Sequence, residues 1–175
     1  MIMAAKYDYV IVGNSAAAIN ACDAIRKVDP EGSMALFSEE KYRCYSRPLI
    51  SYLVAGKIES GGMYYRSSGY YRSMRVDFRK GTRVAEVDAT KRTLATVDKE
   101  RVRWRRLLFA TGFKPLIPPI PGLKEMDYIT FASWDDAKRM RARTARPARV
   151  LIVGAGRVGS EVGGGGEGRG AEGAV

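Results

Sequence analysis

The chain has 175 residues, enough for one domain or one and a fraction, and its 46% hydrophobic and 28% charged residues are the balance of a globular protein, with no apolar run near the ~20 residues of a membrane helix. It contains no histidine, which excludes the commonest general base, the usual hydrolase triad and most transition-metal sites; its two cysteines, Cys22 and Cys44, form neither a CxxC nor a zinc spacing. The formal net charge of +11 favours an anionic partner, but the basic residues are spread over RKGTRV, KERVRWRR and KRMRARTARPARV without a nucleic-acid signature, so a solvated arginine-rich surface is the plainer reading.

Tyr7–Val12, YDYVIV, is rich in Val, Ile and Tyr and reads as a buried strand. Gly13 turns the chain. Ala16–Val28 reads as a helix, favoured by its alanines and isoleucines, with Pro30 just past its end. Cys22 falls inside this helix as a small core residue. Ser33–Ser38, SMALFS, reads as a second strand. Strand, tight turn, helix and strand over this length make a βαβ unit. YSRPLISYLVAG opens on an extended loop at Ser46–Pro48 and continues as a short helix ending at Gly56. SGGMYYRSSGYYRSMR reads as loop and irregular structure.

From Val76 the period changes. VDFRKG, TRVAEVDAT and KRTLATVDK alternate polar with apolar between turn-like residues, which predicts a small antiparallel meander. RWRRLLFATG reads as a strand ending at Thr111-Gly112. FKPLIPPIPG, with four prolines, reads as an extended linker. SWDDAKRMRARTA reads as a helix, with Ser133 as N-cap, acidic residues in its first turn and arginines later. RVLIVGAGRVGSEV starts a second strand–turn–helix unit. The glycine-rich end, GGGGEGRGAEGAV, predicts fraying and disorder, since glycine costs about 1 kcal/mol per helix position.

A glycine-rich turn between a strand and a helix lets backbone approach a pyrophosphate, and the helix N-terminus offers it free N–H groups. In the first turn Gly13 supplies the tight bend and Ala18 is small enough for close helix–strand packing. Ser15 replaces the middle glycine; its side chain is short and its hydroxyl can donate to a phosphate. Glu39 and Glu40, placed to hold a ribose, follow Gly13 by somewhat more than the roughly 20 positions usual for that role. The second turn, Gly154-Ala155-Gly156-Arg157-Val158-Gly159, carries the full glycine pattern directly after the apolar VLIV.

Taken in order, YVIVGNSAAA, YSRPLISYLVAG, LLFATGFKPLIPPIPG and VLIVGAGRVGSE resemble the FAD-dependent pyridine nucleotide-disulfide oxidoreductase superfamily, and within it the branch of nitrite reductase flavin domains and rubredoxin or ferredoxin reductases. The resemblance implies an α/β protein: a Rossmann-like FAD-binding domain, a parallel sheet with helices plus a small antiparallel meander, followed by the start of a second Rossmann-like NAD(P)-binding unit. The corresponding divisions are 1–115 for the first FAD segment, 116–132 for the proline-rich linker, 133–162 for the start of the NAD(P) domain and 163–175 for the tail.

The family roles implied for matching positions are these. Gly13, Ser15, Ala16 and Ala17 would face the FAD pyrophosphate, with Asn14 beside them among the cofactor-binding residues. Glu39 and Glu40 would hold the adenosine ribose, and Arg47 would contact the flavin nucleotide. The Val84 backbone would meet adenine. Ala110, Thr111 and Gly112 would pass close to FAD, and Gly154, Gly156 and Gly159 would sit on the NAD(P)H pyrophosphate. The activity implied is electron transfer from NAD(P)H through flavin to an acceptor. The flavin does the redox step, so no side-chain acid or base and no metal is demanded, in keeping with the missing histidine. Cys44 has no partner for a redox pair, which disfavours the disulfide-reducing branch.

A basic surface suits docking of an acidic electron-carrier protein. Neither a membrane nor a nucleic acid is the expected partner. The start of the chain lacks a basic flank followed by an apolar segment, so the expected compartment is cytoplasmic. Members of the family continue into the rest of the NAD(P) domain, a returning Gly-Asp segment and a C-terminal domain, so a truncated chain or a fragment is the expectation. Two alternatives stay open at this level: an inactive nucleotide-binding fragment, and a basic nucleic-acid-binding module.

Overall fold

The structure, a computed structural model, describes residues 5–146, 149–154 and 172–174. The chain divides into two units: Met1–Tyr45 with Tyr64–Gly112, and Ser46–Met63 with Phe113–Val175. The 1–115 segment expected from sequence is therefore interrupted, because Ser46–Met63 clusters with the second unit.

The first unit is built on a six-stranded sheet. Its elements are β1 (Ala5–Val12), α1 (Ala16–Val28), β2 (Met34–Ser38), α3 (Tyr70–Ser73), β3 (Val76–Lys80), β4 (Val84–Asp88), β5 (Thr93–Thr96) and β6 (Arg101–Phe109). The short helix α2 (Ile50–Val54) belongs to the second unit. The strand order is β3-β2-β1-β6-β5-β4. β3, β2, β1 and β6 run parallel, with Val12 opposite both Phe37 and Phe109; β6, β5 and β4 are antiparallel.

The burial of β2 explains its composition. All five residues of MALFS are buried, because both sheet faces are covered. Met34 and Leu36 point into one cluster with Ile11, Ala18, Ile19, Cys22, Tyr70 and Tyr71. Ala35 and Phe37 point into the other, with Val10, Leu94 and Val102. α1 and α3 supply the first cover, and the meander supplies the second. Cys22 is fully buried on α1, as expected of a small core residue.

Three expectations need correction. VDFRK is not the first strand of the meander: β3 pairs parallel with β2, and the meander is β4-β5-β6. Its alternation reflects one covered and one wetter face at a sheet edge, which occurs with either strand direction. The stretch from Ser60 to Met74, expected to be irregular, holds a 3-10 turn at Ser60–Met63 and α3, whose Tyr70 and Tyr71 are buried. In the glycine-rich tail, Glu172–Ala174 forms β8, which pairs parallel with β7 (Arg149–Leu151); the rest of 163–175 lies outside the described residues.

The second unit contains α2 (Ile50–Val54), preceded by a 3-10 turn at Arg47–Leu49, and α4 (Trp134–Arg143), and these two helices pack together. Pro48 sits at the start of the 3-10 turn, where its missing N–H costs nothing. Residues 113–120 carry no regular structure, as their prolines require. α4 starts with the expected N-cap, strengthened to a capping box: Asp136 N–H donates to Ser133 Oγ at 3.1 Å, and Ser133 N–H donates to Asp136 Oδ2 at 3.0 Å. Among the described residues, no helix is long and apolar enough to cross a membrane.

Candidate functional site

The first turn lies at the C-terminal ends of three adjacent parallel strands. Gly13 N–H donates to the Phe37 carbonyl at 2.8 Å, and Ala110 N–H donates to the Val12 carbonyl at 2.8 Å. The exits of β2, β1 and β6 are thereby held side by side, which is where open α/β sheets bind ligands. Gly13 has φ +121°, and a Cβ there would run into the Ala110 carbonyl. The glycine is thus fixed by backbone conformation and by close approach together.

Ser15 is the N-cap of α1, with extended φ −112° and ψ −166°, and its side chain makes no capping hydrogen bond. Serine therefore occupies the middle glycine position in an ordinary conformation. The first N–H groups of α1 are not spent on a capping side chain, and Ala16 and Ala17 are exposed while Ala18 is buried. Such an end presents donors and partial positive charge to an anion.

Asn14 faces the protein. Its Nδ2 donates to the Tyr42 carbonyl at 3.1 Å, and its Oδ1 accepts from the Tyr71 hydroxyl at 2.7 Å. The same hydroxyl accepts from Cys44 N–H at 2.9 Å. Burial, followed by the contact with Cys44, pushes the Tyr71 hydroxyl far above the usual phenol range, so it stays protonated and able to donate.

A second cluster forms at the exit of β2. Thr82 N–H donates to the Ser38 carbonyl at 2.7 Å and Gly81 N–H to the Glu40 carbonyl at 3.1 Å, which ties residues 81–84 to Glu39 and Glu40. Glu39 is exposed and pairs with Arg83 at 3.8 Å; Glu40 Oε2 accepts from the buried Tyr45 hydroxyl at 2.7 Å. Val84 opens β4 at a register shift, and its side chain packs on the second core cluster. Thr111 and Gly112, exposed, continue from Ala110, with Gly112 at φ +72°.

The first unit thus brings Gly13, Asn14, Ser15, Ala16, Ala17, Glu39, Glu40, Val84, Ala110, Thr111 and Gly112 to the strand ends. Arg47 and Gly154 belong to the second unit. Arg47 there donates to the Ala132 carbonyl at 2.5 Å, and Ala132 N–H in turn donates to Asp136 at 3.0 Å. Gly154 follows β7 with φ +116°, a conformation that favours glycine. Gly156 and Gly159 lie outside the described residues.

Sequence reasoning missed Tyr42, Tyr45, Tyr71 and Arg83 as supports of the turn and of the β2 exit. Tyr71 is 57 positions from Asn14, so no local pattern links them. The only signal was the density of tyrosines in a stretch read as irregular.

A family model described as pyridine nucleotide-disulphide oxidoreductase matches residues 7–172. The NADH-dependent phenylglyoxylate dehydrogenase subunit epsilon of Aromatoleum evansii is 32% identical over 151 residues, which are 86% of this chain and 36% of that protein. The rubredoxin-NAD(+) reductase of Pseudomonas putida is 27% identical over 155 residues, 87% of this chain and 40% of that one. Among solved structures, the covalent putidaredoxin reductase–putidaredoxin complex matches with a TM-score of 0.83 at 22% identity, covering 97% of this chain and 42% of that chain; it speaks for the fold. The structure of Fdr9 matches with a TM-score of 0.79 at 26% identity, over 97% of this chain and 40% of that chain. The chain spans about two fifths of the length of these relatives. With the match running through both glycine-bearing turns, the chain belongs to the pyridine nucleotide-disulphide oxidoreductase family.

Proposed function

We propose that this chain carries the FAD site and part of the NAD(P)H site of an oxidoreductase that passes electrons from NAD(P)H through flavin to an acceptor. The observation that carries the reading is Gly13 packed on the Ala110 carbonyl, followed directly by the uncapped N-terminus of α1 at the ends of three parallel strands. The donor set fits a diphosphate: consecutive backbone N–H groups, no bulky side chain at Ser15, Ala16 or Ala17, and no carboxylate in the first turn of α1.

In this reading Gly13 brings the backbone close, the amides from Ser15 to Ala17 bind the FAD pyrophosphate, and Glu39 accepts hydrogen bonds from the adenosine ribose while Arg83 steadies its carboxylate. Glu40, held by Tyr45, shapes the same rim, and the Val84 backbone borders the adenine. Ala110, Thr111 and Gly112 form the opposite edge, and Arg47 serves the flavin nucleotide. Gly154, Gly156 and Gly159 serve the NAD(P)H pyrophosphate. Bound FAD would supply the two-electron chemistry between a nicotinamide and the acceptor.

The acceptor class is an acidic electron-carrier protein. Support comes from the net charge of +11, from Arg101, Arg103, Arg105 and Arg106 exposed along β6, and from the relative named as a rubredoxin-NAD(+) reductase.

The test is an FAD titration of the purified chain, followed by flavin fluorescence and the visible spectrum, with NADH and NADPH oxidation assayed on the loaded protein. Saturable one-to-one binding is expected. No spectral change at millimolar FAD would overturn the assignment. Binding without nicotinamide oxidation would assign nucleotide binding alone to this stretch of chain. For the carrier, charge reversal at Arg101, Arg103 and Arg105 should slow reduction of an acidic ferredoxin or rubredoxin; an unchanged rate removes the docking proposal.

A further inference from the structure

We propose that Tyr71 is a positioning residue for the flavin turn: through Asn14 it holds the Ser15–Ala17 amides in the arrangement that receives the pyrophosphate. The inference rests on the FAD reading above and adds a residue that lies outside the turn and its motif.

The geometry begins at β3. The Tyr71 ring stacks on Phe78 with centroids 4.0 Å apart and planes 14° from parallel, and it meets Tyr70 edge-on at 5.3 Å. These contacts fix the direction of the Tyr71 C–O bond. The hydroxyl is further fixed by accepting from Cys44 N–H and is spent on one acceptor, Asn14 Oδ1. The other end of the Asn14 amide donates to the Tyr42 carbonyl. An asparagine held at both oxygen and nitrogen has one side-chain orientation left.

Asn14 lies between Gly13, at φ +121°, and the N-cap Ser15, so anchoring it sets the path on which α1 starts. The anchor matters here because Ser15 stands where the motif has glycine, and its side chain supplies no capping bond to order the first turn of the helix. Without the tether, the Ser15–Ala17 amides would sample more directions, and binding would bear the cost of ordering them.

Tyr70 provides an internal control. Its hydroxyl donates to Asp23 Oδ1 at 2.6 Å and lies 3.2 Å from the Ile19 carbonyl, and both of these acceptors lie on α1 beyond the turn. Removing it weakens the core beside α1 without releasing Asn14.

The experiment compares Tyr71→Phe, Asn14→Ala, their double variant and Tyr70→Phe by FAD and ADP titration, and by NMR order parameters of the Ser15–Ala17 amides without ligand. Tyr71→Phe should weaken FAD and ADP roughly tenfold and lower the order parameters of these amides, while Tyr70→Phe lowers Tm and leaves both readouts near wild type. The double variant should be no weaker in binding than Asn14→Ala alone, because both changes cut one tether.

Order parameters and affinity unchanged in Tyr71→Phe, or equal losses in Tyr71→Phe and Tyr70→Phe, would overturn the proposal. If Tyr71→Phe does not fold, Asn14→Ala carries the test alone: wild-type order parameters and affinity in that variant would refute it. If wild type binds no FAD, the flavin reading falls on that result, and the order-parameter comparison still decides whether Tyr71 orders the turn.

Discussion

The carbonyl oxygen of Ala110 stands where a methyl group on Gly13 would have to go. The residue that follows β6 and the turn that follows β1 are thus in contact through backbone alone. Gly13→Ala must both hold φ +121° with a side chain and push β6 away from β1. A loss of roughly 3 kcal/mol or more is expected from strain and overpacking together. Gly112 has φ +72° but open space around it; Gly112→Ala should cost only about 1–2 kcal/mol. Urea denaturation of the two variants checks the ranking, and equal losses would mean that close approach adds nothing at Gly13.

Arg26 closes the C-terminal end of α1. Its guanidinium donates to four carbonyls: Met74 at 2.7 Å, Gly32 at 2.8 Å, Arg75 at 3.1 Å and Asp29 at 3.2 Å. A planar fork can serve several acceptors where an ammonium serves fewer, so Arg26→Lys should behave much like Arg26→Met. Each should lose about 2 kcal/mol, read by thermal or denaturant unfolding. Full rescue by lysine would show that charge at the helix end, rather than the geometry of the fork, is what counts.

Asp23 couples α1 to the loop before α3, accepting from the Tyr70 hydroxyl at 2.6 Å and pairing with Arg66 at 2.9 Å. Partial burial pushes its carboxyl up, but Tyr70 and Arg66 outweigh that and hold it below the usual carboxylate range. A carboxyl lowered by folding adds stability above its unfolded value and loses it as pH falls through the folded one. Stability should therefore decline as pH drops below about 4, and Asp23→Asn should flatten that part of the profile while lowering the neutral plateau. An identical acid slope in wild type and Asp23→Asn would assign it to other carboxylates.

The cysteines report burial. Both are fully buried, and burial pushes the Cys22 thiol up to about 12, so little thiolate forms near neutral pH. Iodoacetamide at pH 8 should leave both unmodified in folded protein and label both in denaturant, read by mass spectrometry. Fast native labelling of Cys44 would mean that the cover supplied by Tyr70 and Tyr71 opens readily.

What could be read from the residues was local. Ala16–Val28 is a helix because its alanines, its isoleucines and the following proline all act within one segment. Gly13 was legible because only glycine suits a tight strand-to-helix bend. The direction of β3 was not legible, since VDFRK alternates in the same way beside a parallel or an antiparallel neighbour. Nor was the Cys44–Tyr71–Asn14 chain, because stacking of Tyr71 on Phe78 is what brings these residues together, and only the folded sheet makes that contact.

Ser133 was legible for a local reason, and its worth can be measured in the second unit alone. Its hydroxyl accepts from Asp136 N–H, and the Asp136 carboxylate takes the N–H groups of Ser133 and Ala132 and the Thr130 hydroxyl. Ser133→Ala leaves one helix N–H without its acceptor and should cost about 1 kcal/mol. Asp136→Ala should cost more, because three donors lose the same oxygen. Trp134, buried at the first position of α4, gives the local readout; in a Trp104→Phe background its fluorescence follows the second unit during urea unfolding. If the two substitutions shift the Trp134 midpoint equally, the carboxylate contributes only its half of the capping box, and the bonds to Ala132 and Thr130 add nothing to the stability of the helix start.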